Sequence, residues 1–351
     1  MSFWQNPYYI SILLVGALTV GLLLLMGLRV RGKGKRETAV QSPSPLWLKA
    51  SRLLGFALLS FVVIGGGVMA FITYQSMLKD TAPARHPVAR PADMTLPVED
   101  VRFSGGDDLA LAGWFVPPAN EATIILLHGY GGDRTAMLWH AAQLVNAGYG
   151  VLLYDERASG ESEGERRSQG WEDPADVGGA LAYLNGRADV NPDKIGIAGC
   201  SIGAQIALQG AAYYPQIGAV WADGPSFIRA ADAPRPNTWI MALIYVAGYL
   251  GDWMYTQRLD MAAPRAMIDI IGDIAPRPIT LVAGGLPLPV YGPESQFVSR
   301  FASYAGENVE MWVIDQSFHC NGPEVAAEEY GRRLVAFFDA ALAPTSWATA
   351  P

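Results

Sequence analysis

Gly199-Cys200-Ser201-Ile202-Gly203 sets a serine between two glycines at the spacing G-x-S-x-G, and the flanking sequence gives the pattern its meaning. An apolar strand-like run, KIGIAG, leads directly into it, and a helix-forming run, AQIALQGAAYY, leads out. A sharp strand-turn-helix lifts a serine Oγ clear of a sheet, and glycines are required where Cβ atoms would clash in the turn. The N-terminus of the following helix favours negative charge developing beside it. The chemistry this setting serves is nucleophilic attack on a carbonyl by Ser201.

Serine at its free pKa is a poor nucleophile and needs a base within hydrogen-bond reach. The chain has only four histidines, His86, His128, His140 and His319. Of these, His319 alone follows the last strand-like run (VEMWVID) and precedes the final helix, where a base in the chain order Ser, acid, His belongs. Acyl transfer also needs two backbone N–H donors for an oxyanion. His128-Gly129-Tyr130-Gly131-Gly132, directly after the strand TIILL, supplies one turn of this kind. The N–H groups of Tyr130 and Ile202 are assigned to that role, and His128 itself is read as structural.

The acid should follow the strand ITLVA, yet the sequence there reads GGLPLPVYGPES with no aspartate. Glu294 is the only carboxylate between Asp273 and Glu307, and it is chosen to fix the imidazole tautomer and stabilise the imidazolium. Asp223, after the preceding strand in ADGPS, is the alternative acid. Asp155 and Arg157, in YDERASGES, are read as organising loops. The 2 cysteines lie far apart in sequence and suggest no disulfide framework. Cys200 and Cys320 each adjoin a candidate residue, and they are read as buried thiols, with a redox-sensitive pair as the alternative.

Around these residues, short β-branched runs alternate with helical stretches from Val98 onward, the signature of a mostly parallel sheet with covering helices. The strands are expected at Val98–Phe103, Leu109–Val116, Thr123–Leu127, Gly150–Tyr154, Lys194–Ala198, Ile217–Ala222, Ile279–Ala283 and Val309–Ile314, the first two as an antiparallel edge. Helices are expected at Arg134–Ala147, Asp173–Arg187, Ser201–Tyr214, Ser295–Ala305 and Glu324–Leu342. The stretch between Asp223 and Ile279 is too long for a simple crossover. It carries an insertion at about 226–275, whose uncharged run 238–250 is too short to span a bilayer and reads as a lid helix, or else a surface dipping into lipid.

The first eighty residues read as a membrane anchor. Two uncharged runs, at about 7–28 and 53–78, are each long enough to cross a bilayer as a helix. The loop between them carries Arg29, Arg31, Lys33, Lys35, Arg36, Lys49 and Arg52 against the single Glu37. Basic loops stay cytoplasmic, which puts the following domain on the extracytoplasmic side of the cell membrane. Residues 81–97, rich in Pro and Ala, read as a stiff tether, and the folded domain runs over 98–345. The net charge of −8 argues against a nucleic-acid partner, and two cysteines without a CxxC pair cannot supply a zinc site.

Together, HGYGG, the D-x-R-x-x-G-x-S run at Asp155–Ser162, GCSIG, APRPITLVAGG, SFHCNGPE and the terminal YGRRLVAFFDAAL resemble the α/β-hydrolase superfamily across roughly 98–345. The chain looks most like bacterial hydrolases of the dienelactone-hydrolase and acyl-aminoacyl-peptidase kind. That resemblance implies an eight-stranded sheet and a Ser-acid-His triad, and in the most similar branch a glutamate after the penultimate strand, which supports Glu294. QSFH departs from the usual G-x-G-H around the base, and the two N-terminal runs lie outside the family pattern. The expected activity is hydrolysis of an ester, or an amide or thioester, on a small or lipophilic acyl substrate. It requires no metal or organic cofactor, and the bilayer is the one expected partner. A non-catalytic membrane scaffold on the same fold is the rival reading.

Overall fold

The computed structural model describes residues 46–288 and 292–342. It divides into two units, residues 1–75 and 76–351. The first predicted span, at about 7–28, lies outside the described residues, as does the basic loop up to Pro45. The second falls in helix α1 (Leu46–Asp80), which is longer than the apolar run and takes Lys49 and Arg52 into its first turns. Its segment Leu53–Asp80 is long and apolar enough to cross a membrane, the one such helix among the described residues. Leu54, Val62, Ile64 and Ile72 stand exposed along it.

The second unit is built on one sheet of eight strands: β1 (Glu99–Ser104), β2 (Ala110–Val116), β3 (Thr123–Leu127), β4 (Gly150–Tyr154), β5 (Ile195–Cys200), β6 (Ile217–Asp223), β7 (Ile279–Gly284) and β8 (Val309–Ile314). Their order across the sheet is β8-β7-β6-β5-β3-β4-β2-β1. Strands β3 to β8 run parallel to one another, while β2 is antiparallel to both of its neighbours. The central strands are apolar at successive positions because both faces are covered. Ile125 and Leu127 point to one core, against helices α3 (Asp173–Asn185) and α4 (Ile202–Tyr213). Ile124 and Leu126 point to the other, against α2 (Leu138–Asn146) and α7 (Ala327–Leu342). In α7, Tyr330, Leu334, Phe338 and Leu342 recur every fourth residue and bury one stripe.

The insertion after β6 contains α5 (Trp239–Leu259), capped by Thr238, whose side chain accepts from the Met241 N–H at 3.2 Å. It is longer than the uncharged run 238–250, because the helix continues through Asp252 and Arg258. Of its residues only Met254 and Leu259 are buried, while Trp239, Leu243, Val246 and Trp253 are exposed. The segment 81–97, expected as a stiff tether, instead lies along the domain. Ala84–Arg85 pairs in parallel with Ser159–Gly160, and Val88, Met94 and Leu96 pack against the second core. Small side chains let the backbone approach, and three apolar residues among the prolines supply the contact that composition alone concealed.

Candidate active site

Strand order reverses between β3 and β5, which lie side by side, so the turns after them share one crevice at the carboxyl end of the sheet. The turn after β5 holds Ser201 at φ 59°, ψ −118°, a conformation that residues with a Cβ seldom adopt. Its N–H donates to the Asp223 carbonyl at 2.8 Å and its carbonyl accepts from the Gln205 N–H at 3.1 Å, so the strained turn is held from both sides. Gly203 is required by close approach: a Cβ there would strike the carbonyl oxygens of Leu127 and His128, where β3 ends.

That contact seats the elbow against the second turn. Here the Gly132 N–H donates to the Gly129 carbonyl at 3.1 Å, leaving Tyr130 at the first inner position of the turn, its N–H outside the closing bond. A Cβ on Gly129 would lie 3.5 Å from the Ser201 Cβ, so this turn faces the serine directly. Ile202 opens α4, and its N–H is among the first-turn donors with no partner inside the helix. His128 is buried beneath the turn: its Nδ1 lies 2.9 Å from the Gly129 carbonyl and its Nε2 accepts from the Glu156 N–H at 3.0 Å. Burial lowers its pKa, as it does for His140, which falls to about 4.

The loop after β8 brings His319 to the serine. His319 Nε2 is 2.8 Å from Ser201 Oγ, and Nδ1 hydrogen-bonds Glu294 Oε1. Glu294 is 4 % exposed, stands at the start of α6 (Ser295–Ala305), and accepts the Gly284 N–H through Oε2 at 2.7 Å. Both carboxylate oxygens are therefore fixed, one by the imidazole and one by the end of β7. The Glu294 hydrogen bond raises the pKa of His319, and partial burial opposes it. The ring remains open to solvent on one side, its side chain being 37 % exposed.

Asp223, the alternative acid, bonds elsewhere. Its carboxylate accepts from the Tyr330 hydroxyl at 2.8 Å, and Tyr330 in turn accepts from Trp221 Nε1 at 2.9 Å. Burial pushes its pKa up to about 6. The reason lies in Gly224, at φ 60°: a Cβ there would sit 2.7 Å from Glu294 Oε1 and 2.8 Å from His319 Nδ1. The backbone of β6 thus ends against the Glu294–His319 pair and sends the Asp223 side chain to the far face. Asp155 and Arg157 organise loops, as read from sequence. Asp155 accepts the Arg134 and Glu161 N–H groups, each at 2.8 Å, and Arg157 pairs with the buried Asp176 at 2.7 Å.

Sequence reasoning missed one feature and ranked another second. Gly224 carried no motif, although its neighbour Asp223 was singled out. Cys200 and Cys320, expected as buried thiols with a redox-sensitive pair as the alternative, form a disulfide with Cα atoms 6.0 Å apart. Their separation of 120 residues spoke against a bridge, while the adjacency of each cysteine to a candidate residue was the signal for it.

With strand order, elbow, base and acid in view, comparison with known structures identifies the architecture. The esterase Pf2001 of Pyrococcus furiosus is 26 % identical and superposes with a TM-score of 0.58, covering 74 % of this chain and 99 % of its own. The chain has the α/β-hydrolase fold. A family model described as X-Pro dipeptidyl-peptidase (S15 family) matches residues 106–235, which include β2 to β6 and the elbow. An uncharacterized protein of Mycobacterium tuberculosis is 30 % identical over 149 residues, 42 % of this chain. The chain spans about half the length of that relative, 52 %. The uncharacterized protein YfhR of Escherichia coli is 28 % identical over 257 residues, 70 % of this chain and 82 % of that protein.

Proposed function

We propose that this chain is a serine hydrolase that cleaves carboxylic esters through an acyl-enzyme. The observation that carries the reading is the continuous relay from Ser201 Oγ to His319 Nε2, 2.8 Å, and from His319 Nδ1 to the buried Glu294. His319 removes the Ser201 proton as Oγ attacks the ester carbonyl. The developing oxyanion is received by the N–H groups of Tyr130 and Ile202, and one such donor is worth on the order of 10²–10³ in rate. His319 then returns the proton to the departing alkoxide, and water repeats the cycle to release the acid. Throughout, Glu294 keeps Nδ1 protonated and balances the imidazolium charge.

Similarity to an esterase favours an ester over other acyl groups, and the exposed apolar face of α5 favours a lipophilic acyl chain. On this reading the chain is anchored by its two N-terminal apolar segments, with the domain on the extracytoplasmic side. A peptidase on the same triad is the second reading, favoured by the match of residues 106–235 to a dipeptidyl-peptidase family. A series of p-nitrophenyl esters of rising acyl length, set beside an Xaa-Pro p-nitroanilide, separates the two. Ester turnover that peaks at medium or long chains and vanishes in Ser201→Ala supports the esterase. Anilide turnover that exceeds every ester by kcat/KM replaces it with the peptidase.

A further inference from the structure

The disulfide between Cys200 and Cys320 joins the two loops that must meet for catalysis. Cys200 ends β5 and immediately precedes Ser201; Cys320 immediately follows His319. Two strands, β6 and β7, stand between β5 and β8 in the sheet, so the elbow and the base loop spring from strands that do not touch. The base loop's own backbone bonds run to β8 and to the segment after β7: Ser317 N–H to the Ile314 carbonyl at 3.0 Å, Leu286 N–H to the Ser317 carbonyl at 3.1 Å. Toward the elbow it is held by the His319–Ser201 hydrogen bond and by the disulfide.

Cys320 also sits at φ 53°, in the left-handed region that a residue with a Cβ leaves unless its surroundings hold it there. Breaking the sulfur bridge releases that strained residue, one peptide from the base. It also frees the Cys320 sulfur, 3.9 Å from His319 Nε2, to compete with Ser201 for the same nitrogen.

We propose that the Cys200–Cys320 disulfide is a positioning clamp that sets His319 on Ser201, so that the oxidised chain is the fast form and reduction slows the chemical step. The inference rests on the serine-hydrolase reading. In the switching step a dithiol gives two electrons and two protons to the bridge. The S–S bond opens to two thiols, and the dithiol closes to its own cyclic disulfide. An oxidising compartment keeps such a bridge closed, in agreement with the extracytoplasmic orientation that the basic N-terminal loop proposes from different residues.

The test uses the full chain in detergent and a fluorophosphonate probe, with phosphonylation of Ser201, in which Oγ displaces fluoride from phosphorus, followed by intact mass over time and probe concentration. Measurements are made well below the melting temperature, with circular dichroism recorded on each sample. Misplacement of a catalytic group by about 1 Å can cost 10²-fold. Dithiothreitol that exposes two titratable thiols per chain should therefore slow maximal phosphonylation about 100-fold, leaving the half-saturating probe concentration in place, and reoxidation should restore the rate. The Cys200→Ser/Cys320→Ser double variant should be equally slow and indifferent to reductant. A merely structural bridge lowers the melting temperature and leaves phosphonylation unchanged, so full-rate phosphonylation of the reduced chain or of the folded double variant overturns the clamp. If the double variant does not fold, the reduced wild type decides. No phosphonylation of the oxidised wild type removes the hydrolase reading and the clamp with it.

Discussion

At the scale of residues, the proposed mechanism requires a neutral His319 to accept the Ser201 proton, and its bond to Glu294 holds the protonated form to a pH above the usual ~6.5. kcat/KM should accordingly rise with pH through a midpoint above that value. Glu294→Gln should lower both the midpoint and the plateau, the latter by on the order of 10⁴, since an amide leaves the wrong tautomer facing the serine. Because the folded pKa is raised, the pair adds stability below pH ~6.5 that fades as pH rises through the folded midpoint. Asp223 behaves in the same sense for a different reason. Burial raises its pKa from 3.8 to about 6, so its neutral form is favoured on folding and that stability is lost as pH climbs from 3.8 through about 6. Asp223→Asn should flatten that part of the melting-temperature profile between pH 4 and 7 while esterase turnover survives. Turnover abolished by Asp223→Asn, with Glu294→Gln harmless, would exchange the roles of the two acids.

At the scale of elements, Gly203 is where the elbow packs on β3, and Gly203→Ala should cost both folding yield and acylation, because its Cβ meets backbone carbonyls that cannot move aside. A soluble Gly203→Ala chain acylating at the wild-type rate would show that the elbow is not seated as described. The buried pair Arg157–Asp176 ties the loop after β4 to α3. Arg157→Leu leaves the Asp176 carboxylate uncompensated and should destabilise by about 3–5 kcal/mol in denaturant unfolding. Sequence was most informative here. Continuous apolar runs such as TIILL and GVLLY named the buried strands almost to the residue, since parallel strands covered on both faces are apolar at nearly every position. Glu294 could be chosen because only one carboxylate lay in reach of the strand end. The laid-down segment 81–97 and the role of Gly224 were hidden, and the Cys200–Cys320 bridge stood only as the alternative, because each depends on contacts between residues distant in sequence. Local pattern carries no record of such contacts.

At the scale of the whole molecule, an apolar helix leads into a domain whose insertion helix α5 exposes Trp239, Leu243, Val246 and Trp253. Expressed in full, the chain should stay with membranes through an alkaline carbonate wash. Recovery in the wash supernatant would contradict the anchor, while leaving the triad chemistry untouched. Whether Ser201 is an activated nucleophile is tested most directly by a covalent measurement: purified chain is treated with a fluorophosphonate, digested, and the adduct mapped by mass spectrometry. The relay of Ser201, His319 and Glu294 predicts one adduct per chain, on Ser201, absent in Ser201→Ala and strongly slowed in His319→Ala. A folded wild type that takes no adduct, or takes it at another residue, would contradict the claim that this α/β-hydrolase fold carries a working serine site.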